Sequence, residues 1–148
     1  MLKSQLLHPE ILHVLGASGH GSGILIADGN YPFNTLANPN AQRVYLNYMP
    51  GLLTVTQVLE GLLGVIPVES AHVMLREDGI AVPIHADFRA MLPGIELQTH
   101  TRYPFYEMAQ GRDVSLVIAT GEQRIYANIL LVIGVVVPSD DKLPAKPA

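Results

Sequence analysis

His20 stands between two glycines in Gly19-His20-Gly21-Ser22-Gly23, so nothing bulky flanks its ring. A ligand can approach an imidazole placed this way, and the glycines let the backbone adopt left-handed geometry. With an ordinary pKa near ~6.5, histidine is the side chain best suited to giving and taking a proton at neutral pH. The same spacing also describes a solvent-exposed loop histidine. The glycines imitate a phosphate loop in composition only: they follow a helical pattern, precede a strand pattern and lack a Lys-Ser/Thr pair. That excludes nucleotide binding at this turn.

Asp28 closes the apolar run Ile24-Leu25-Ile26-Ala27. A carboxylate at the C-terminal end of a buried strand lies where open α/β sheets place their ligands. It can hydrogen-bond sugar hydroxyls or orient a histidine, and it can equally be a turn-initiating Asp that satisfies loop N–H groups. Tyr126-Ala127-Asn128 opens the last apolar run: tyrosine can hydrogen-bond or relay a proton, and the asparagine amide offers an acceptor and two donors. Arg102, Tyr103 and Tyr106 form a further group, whose plainer reading is an amphipathic surface helix with its aromatics tucked under.

Other chemistries find no support. His8 and His13 are not at helical metal-ligand spacing, and His85-Ala86-Asp87 has no third ligand nearby in sequence. The absence of cysteine excludes disulfides, thiolate catalysis and Cys-based zinc sites, and no Ser sits in a Gly-x-Ser-x-Gly elbow. The expectation is therefore a site with no metal and no cofactor.

The elements that must position these residues follow from the patterning. A helix is expected over Pro9–Ala17, with proline at its first position and Glu10 against the positive end of the dipole. A buried strand ends at Asp28, and a long Asn/Pro/Gly loop covers 29–42. Such a loop in a small domain is more often functional than not. A strand over 43–48 follows, then a helix from a Thr54/Gln57 capping box to Leu63. Further expectations are a strand at 71–75, a helix at 83–92, a strand at 95–99 and a helix at 103–110. Strands at 114–119 and 126–137 close the chain, joined by the turn Thr120-Gly121-Glu122. The alternation implies an α/β fold: a three-layer α/β/α sandwich with a mixed, mostly parallel sheet.

At 148 residues the chain makes one domain, with 49% apolar and 15% charged residues, enough for a sizeable core. The net charge of −4 with no Lys/Arg cluster, and the lack of Trp, argue against a nucleic-acid partner. The apolar run Ile129–Val137 is far short of the ~20 residues that span a bilayer, and the N-terminus has no signal-peptide pattern. No membrane partner and a cytoplasmic location are the expectations, with a domain over 1–137 and a Pro-rich flexible tail over 138–148.

Two ordered segments, with a third between them, carry a family likeness. PEILHVLGASGHGSGILIADGNYP resembles the helix, Gly-His turn and Asp-x-x-x-Pro strand end of the D-ribose pyranase / L-fucose mutarotase family. TGEQRIYANILLVIGVV resembles that family's closing strand, and RYPFYEMAQ resembles a stretch of its mutarotase branch. The resemblance runs from about Leu2 to Val137 and implies a cofactor-free isomerase acting on monosaccharide anomers or ring forms. By position it implies His20 as the proton-transferring residue and Tyr126 as a second acid/base. Asp28, Arg102, Tyr106, Tyr126, Ala127 and Asn128 would bind the sugar. It also implies a homo-oligomer, a decameric ring, with sugar bound near a subunit boundary. Arg102 and the aromatics beside it favour L-fucose, whereas Ala127 is shared with the D-ribose branch. A non-catalytic sugar-binding module and a purely structural oligomer are the rival classes.

Overall fold

Ile24 and Ile26 face one side of the central strand β1 (Gly23–Ala27), Leu25 and Ala27 face the other, and all four are fully buried. A strand apolar on both faces must be covered on both. The structure, a computed structural model, describes residues 1–138 and builds two apolar layers on that alternation. On the Ile24/Ile26 side lie Ile11 of α1 (Pro9–Ala17), Val55, Leu59 and Leu62 of α2 (Val55–Leu63), and Phe88 of α3 (Ile84–Met91). On the Leu25/Ala27 side lie Phe105 and Ala109 of α4 (Arg102–Ala109), with Tyr31, Ala37 and Ala41 from the long loop after β1.

The remaining strands are β2 (Gln42–Leu46), β3 (Val68–Met74), β4 (Leu97–His100), β5 (Val114–Thr120) and β6 (Ile129–Ile133). They form one sheet in the order β2-β5-β1-β6-β3-β4. β1, β2 and β5 run parallel, as do β3 and β4, while β6 is antiparallel to both its neighbours, β1 and β3. Five strands thus point one way and β6 the other. The expected three-layer α/β class with a mixed, mostly parallel sheet is what the chain adopts.

Local chemistry accounts for the helix ends. Pro9 opens α1, and the His8 side chain accepts from the Ile11 N–H. Thr54 and Gln57 form the expected capping box: Thr54 Oγ1 accepts from Gln57 N–H at 3.3 Å, and Gln57 Oε1 from Thr54 N–H at 3.0 Å.

The closing segment departs from expectation in three ways. β5 and β6 are not neighbours, because β1 lies between them and pairs with both. The last strand begins at Ile129 rather than Tyr126, since Tyr126 takes a left-handed φ of 59° and Asn128 turns its side chain to the Asp28 backbone. It stops at Ile133 rather than Val137, because its partner β3 begins at Val68, opposite Ile133, and offers no ladder beyond. The Pro-rich tail expected over 138–148 lies, apart from Pro138, outside the described residues.

The turn Thr120-Gly121-Glu122 is the joint of the sheet's C-terminal edge. Thr120 Oγ1 donates to the Ala27 carbonyl at 2.7 Å, and Gly29 N–H donates to the Glu122 carbonyl at 2.9 Å. Gly121 lies against the 49–53 loop so closely that a Cβ would collide with the Leu52 and Met49 carbonyl oxygens. Neither backbone segment can retreat without breaking the Gly51–Gly121 and Gly121–Leu53 hydrogen bonds. Gly121→Ala is expected to cost about 1–3 kcal/mol of stability, the ordinary range for overpacking, read from the urea midpoint.

Candidate functional site

Loops leaving β1 and β3 run to opposite ends of the sheet, toward β2 and β4, so the C-terminal edge opens between these two strands. Open α/β sheets bind ligands in such crevices. Here a cavity of about 150 Å³ is lined by Asp28, Asn30, Tyr31, Met74, Arg102, Tyr106, Ile125, Tyr126 and Asn128. Because β6 runs backwards, the segment that starts it, Tyr126–Asn128, arrives at the edge where β1 ends.

Asp28 is the best anchored group. Its Oδ1 accepts from Asn30 N–H at 3.0 Å and its Oδ2 from Ala127 N–H at 3.1 Å. Its own N–H donates to Asn128 Oδ1 at 2.8 Å, which fixes the asparagine amide with its donor end free of the backbone. Burial pushes the Asp28 carboxyl above the usual aspartate range, against the opposing pull of these N–H groups and the Asn128 amide. Each carboxyl oxygen keeps acceptor capacity for a ligand hydroxyl.

The opposite wall is aromatic and cationic. Arg102, at the start of α4, reaches Tyr126 Oη with its Nη2 at 3.4 Å and Glu77 Oε1 with its Nε at the same distance. Tyr106 stands edge-on to the Tyr31 ring at 5.6 Å between centroids. Tyr31 is buried and donates its hydroxyl to the Leu36 carbonyl at 2.7 Å. Burial raises the hydroxyls of both Tyr31 and Tyr106, with Arg102 pulling the other way on Tyr106. Both therefore stay neutral at physiological pH and serve as walls and donors. Met74 and Ile125 supply the apolar surface.

Of the residues expected from sequence, Asp28, Arg102, Tyr106, Tyr126 and Asn128 line this one cavity. Ala127 contributes its backbone N–H to Asp28, while its methyl is packed in the core. His20 is elsewhere. It precedes β1 while Asp28 follows it, and five residues at ~3.3 Å each put roughly 16 Å of strand between them. At its own edge His20 Nε2 lies 2.5 Å from Glu69 Oε2, and both side chains are more than half exposed. Asn30, Tyr31, Met74 and Ile125 were not singled out by sequence reasoning. Asn30 and Tyr31 carry a signal, since they lie two and three residues after Asp28; Met74 and Ile125 carry none beyond being apolar. Among the described residues no group of three or more His, Cys, Asp or Glu is arranged to hold a metal ion.

A model of the RbsD / FucU transport protein family matches residues 1–136. The chain belongs to that family. It is 31% identical to the fucose mutarotase of Bos taurus over 148 residues, covering 91% of this chain and 93% of that one. It is 33% identical to the D-ribose pyranase of Paracidovorax citrulli over 138 residues, covering 91% and 98%. Among solved structures, the fucose mutarotase of Streptococcus pneumoniae in complex with L-fucose superposes with a TM-score of 0.80 at 28% identity, covering 93% of this chain and all of that one.

In this family member the cavity's frame depends on Glu122. Its buried carboxylate accepts from Val55 N–H at the start of α2 and from Arg124 Nη2 at 2.8 Å, and so ties α2 to the loop that carries Tyr126. Burial alone would raise this carboxyl, but Arg124 and the two backbone N–H groups hold it below the usual glutamate range. A lowered folded pKa contributes stability above the unfolded value, and that contribution is lost as pH falls through the folded one. Glu122→Gln is expected to cost about 1.5 kcal/mol at neutral pH, the low end for a hydrogen bond to a charged group because Arg124 is partly exposed. The gap from the parent chain should close on acidification below the usual glutamate range, as followed by urea denaturation at stepped pH.

Proposed function

We propose that the cavity holds a monosaccharide by its hydroxyls, and that the chain is a cofactor-free mutarotase interconverting the α and β anomers of L-fucose. The observation that carries this reading is the cavity's make-up: a buried carboxylate, a fixed amide, a guanidinium and a phenol facing an apolar side. Such a set suits a neutral ligand rich in hydroxyls on one face and apolar on the other. The family and the two kinds of relative described above support a sugar ring-form isomerase.

The chemistry needs a proton placed on the ring oxygen and one removed from the anomeric hydroxyl. The ring C–O bond then breaks, the aldehyde rotates about C1–C2, and the reverse transfers close the opposite anomer. Neither an electron nor an atom is gained or lost, so paired acid and base groups suffice. Tyr126 and Asp28 lie where they can exchange protons with the ligand. Arg102 offers fixed donors that can hold two neighbouring hydroxyls, and Met74 and Ile125 offer a seat for the methyl of a 6-deoxy sugar. The D-ribose pyranase reading is the alternative, favoured by relatives of that name at similar identity.

His20 enters this scheme from a second copy of the chain. Glu69 holds one ring nitrogen, and the imidazole stays more than half exposed at the edge of the sheet opposite the chain's own cavity. Exposed apolar residues are available to bring copies together: Tyr48, Met49, Leu52 and Leu53 in one loop, and Val135 to Val137 after β6. The reading carries with it a homo-oligomer and a cytoplasmic location.

Five measurements test it. NMR exchange of anomeric protons is expected to be faster for L-fucose than for D-ribose at equal concentration; accelerated ribose ring exchange without fucose exchange would turn the reading to the pyranase. His20→Ala is expected to slow exchange at least ~10²-fold without unfolding the chain, the low end for a lost acid/base. When His20→Ala and Asp28→Ala chains are unfolded and refolded together, mixed oligomers should regain exchange that neither variant shows alone. Light scattering that gives a monomer, or no regain on mixing, would defeat the shared site. Arg102→Ala should weaken sugar binding by about 1.5–3 kcal/mol.

A further inference from the structure

Tyr126 is the only described residue other than glycine with a left-handed backbone, at φ 59°. A large aromatic residue adopts that conformation only where its surroundings over-determine it. Three things do so here. The next N–H, from Ala127, is tied to Asp28, and Arg102 reaches the Tyr126 hydroxyl. The third is Arg76, whose guanidinium carbon lies 6.0 Å from the centroid of the Tyr126 ring, over its face.

Arg76 is itself held in a rigid fork. Its Nε and Nη2 both bond the Asp78 carboxylate, and Asp78 Oδ1 also accepts from Ile80 N–H at 3.1 Å across the turn made by Gly79 at φ 74°. Between them, Glu77 takes the Nε of Arg102. Just after β3, Glu77 and Asp78 therefore hold both guanidinium groups that contact Tyr126. None of these groups lines the cavity except Arg102.

We propose that the Arg76–Asp78 segment is a clamp for Tyr126: Arg76 is a positioning residue for proton transfer, acting through the tyrosine and not on the sugar. Asp78 keeps the Arg76 guanidinium over the ring, and Glu77 keeps Arg102 turned toward the hydroxyl. A planar cation that stacks while its fork is occupied is a task for Arg rather than Lys. This proposal rests on the role given to Tyr126 above.

The experiment is steady-state anomer exchange on the full-length oligomer, with kcat and KM separated. Arg76→Met is expected to lower kcat about two- to fivefold, the factor that corresponds to a partly exposed cation–π contact, with KM unchanged. Asp78→Asn, which keeps the Arg76 charge but weakens its fork, should produce a loss in the same parameter. Arg76→Lys should recover part of the lost kcat, because the charge over the ring returns without the fork. In a Tyr126→Ala background, Arg76→Met should have no further effect, since the group it acts through is gone. An unchanged kcat in Arg76→Met, a change confined to KM, a lysine no better than methionine, or an equal loss in the Tyr126→Ala background would each overturn the clamp. Should Tyr126→Ala alone leave exchange at the parent rate, the role of Tyr126 falls, and the clamp with it. Arg76 is on the surface side of a turn, so the variants should retain the parent's melting temperature and mass, which separates a clamp from a folding defect.

Discussion

Three hydrogen bonds at Asp28, two of them to the 126–128 segment, are the interaction on which the cavity edge depends. One links the Asp28 N–H to the Asn128 side chain, one links the Ala127 N–H to the Asp28 carboxylate, and the third, from Asn30 N–H, turns the long loop away from the strand. Together they fasten the end of β1 to the start of β6 across almost a hundred residues of sequence. A carboxylate buried this deeply, with no cation paired to it directly among the described residues, is a cost to folding. The fold bears that cost where a ligand's hydroxyls could take the remaining lone pairs.

This fastening requires β6 to run against its neighbours. In an all-parallel sheet the segment entering β6 would lie at the other edge, beside His20 and Glu69, far from Asp28. The reversal lets one strand begin where another ends, so donors and acceptors from residues 28 and 126–128 share a few ångströms. It also leaves the Gly-His-Gly turn alone at the opposite edge, next to the end of β6 through the Gly21–Ile133 hydrogen bond. The sheet thus carries its Gly-His-Gly turn at one end and the cavity at the other.

The three guanidinium groups around the cavity are each offset by carboxylates. Arg102 is offset by Glu77, Arg76 by Asp78, and Arg124 by Glu122 and Asp87. What remains is the Asp28 carboxylate, set among fixed hydrogen-bond groups. Exposed pairs of this kind add little stability individually. Their value here is directional, because each holds a guanidinium in one orientation near the Tyr126 loop.

The sequence by itself determined the elements and several of the groups that matter. The helix at Pro9–Ala17 and the Thr54/Gln57 cap are local events, fixed by proline at a helix start and by side chains within three residues of the backbone they satisfy. The run ending at Asp28 announced a buried strand, because apolarity on consecutive positions has meaning only when both faces are covered. The expected grouping of Asp28, Arg102, Tyr106, Tyr126 and Asn128 came from motif likeness, and no spacing in the chain displays it. Strand order and direction, by contrast, arise only when distant segments pack together. The turn at 120–122 reads as a hairpin, yet β1 enters between the strands on either side of it. Hydrophobicity continues to Val137 although pairing stops at Ile133, because a strand ends where its partner does, and no residue records its partner's length. Met74, Ile125 and the Arg76 clamp were equally illegible, since each acts through a neighbour distant along the chain. His20 carried the clearest chemical signature of all, and only the direction of β1 shows that it cannot reach its own chain's cavity.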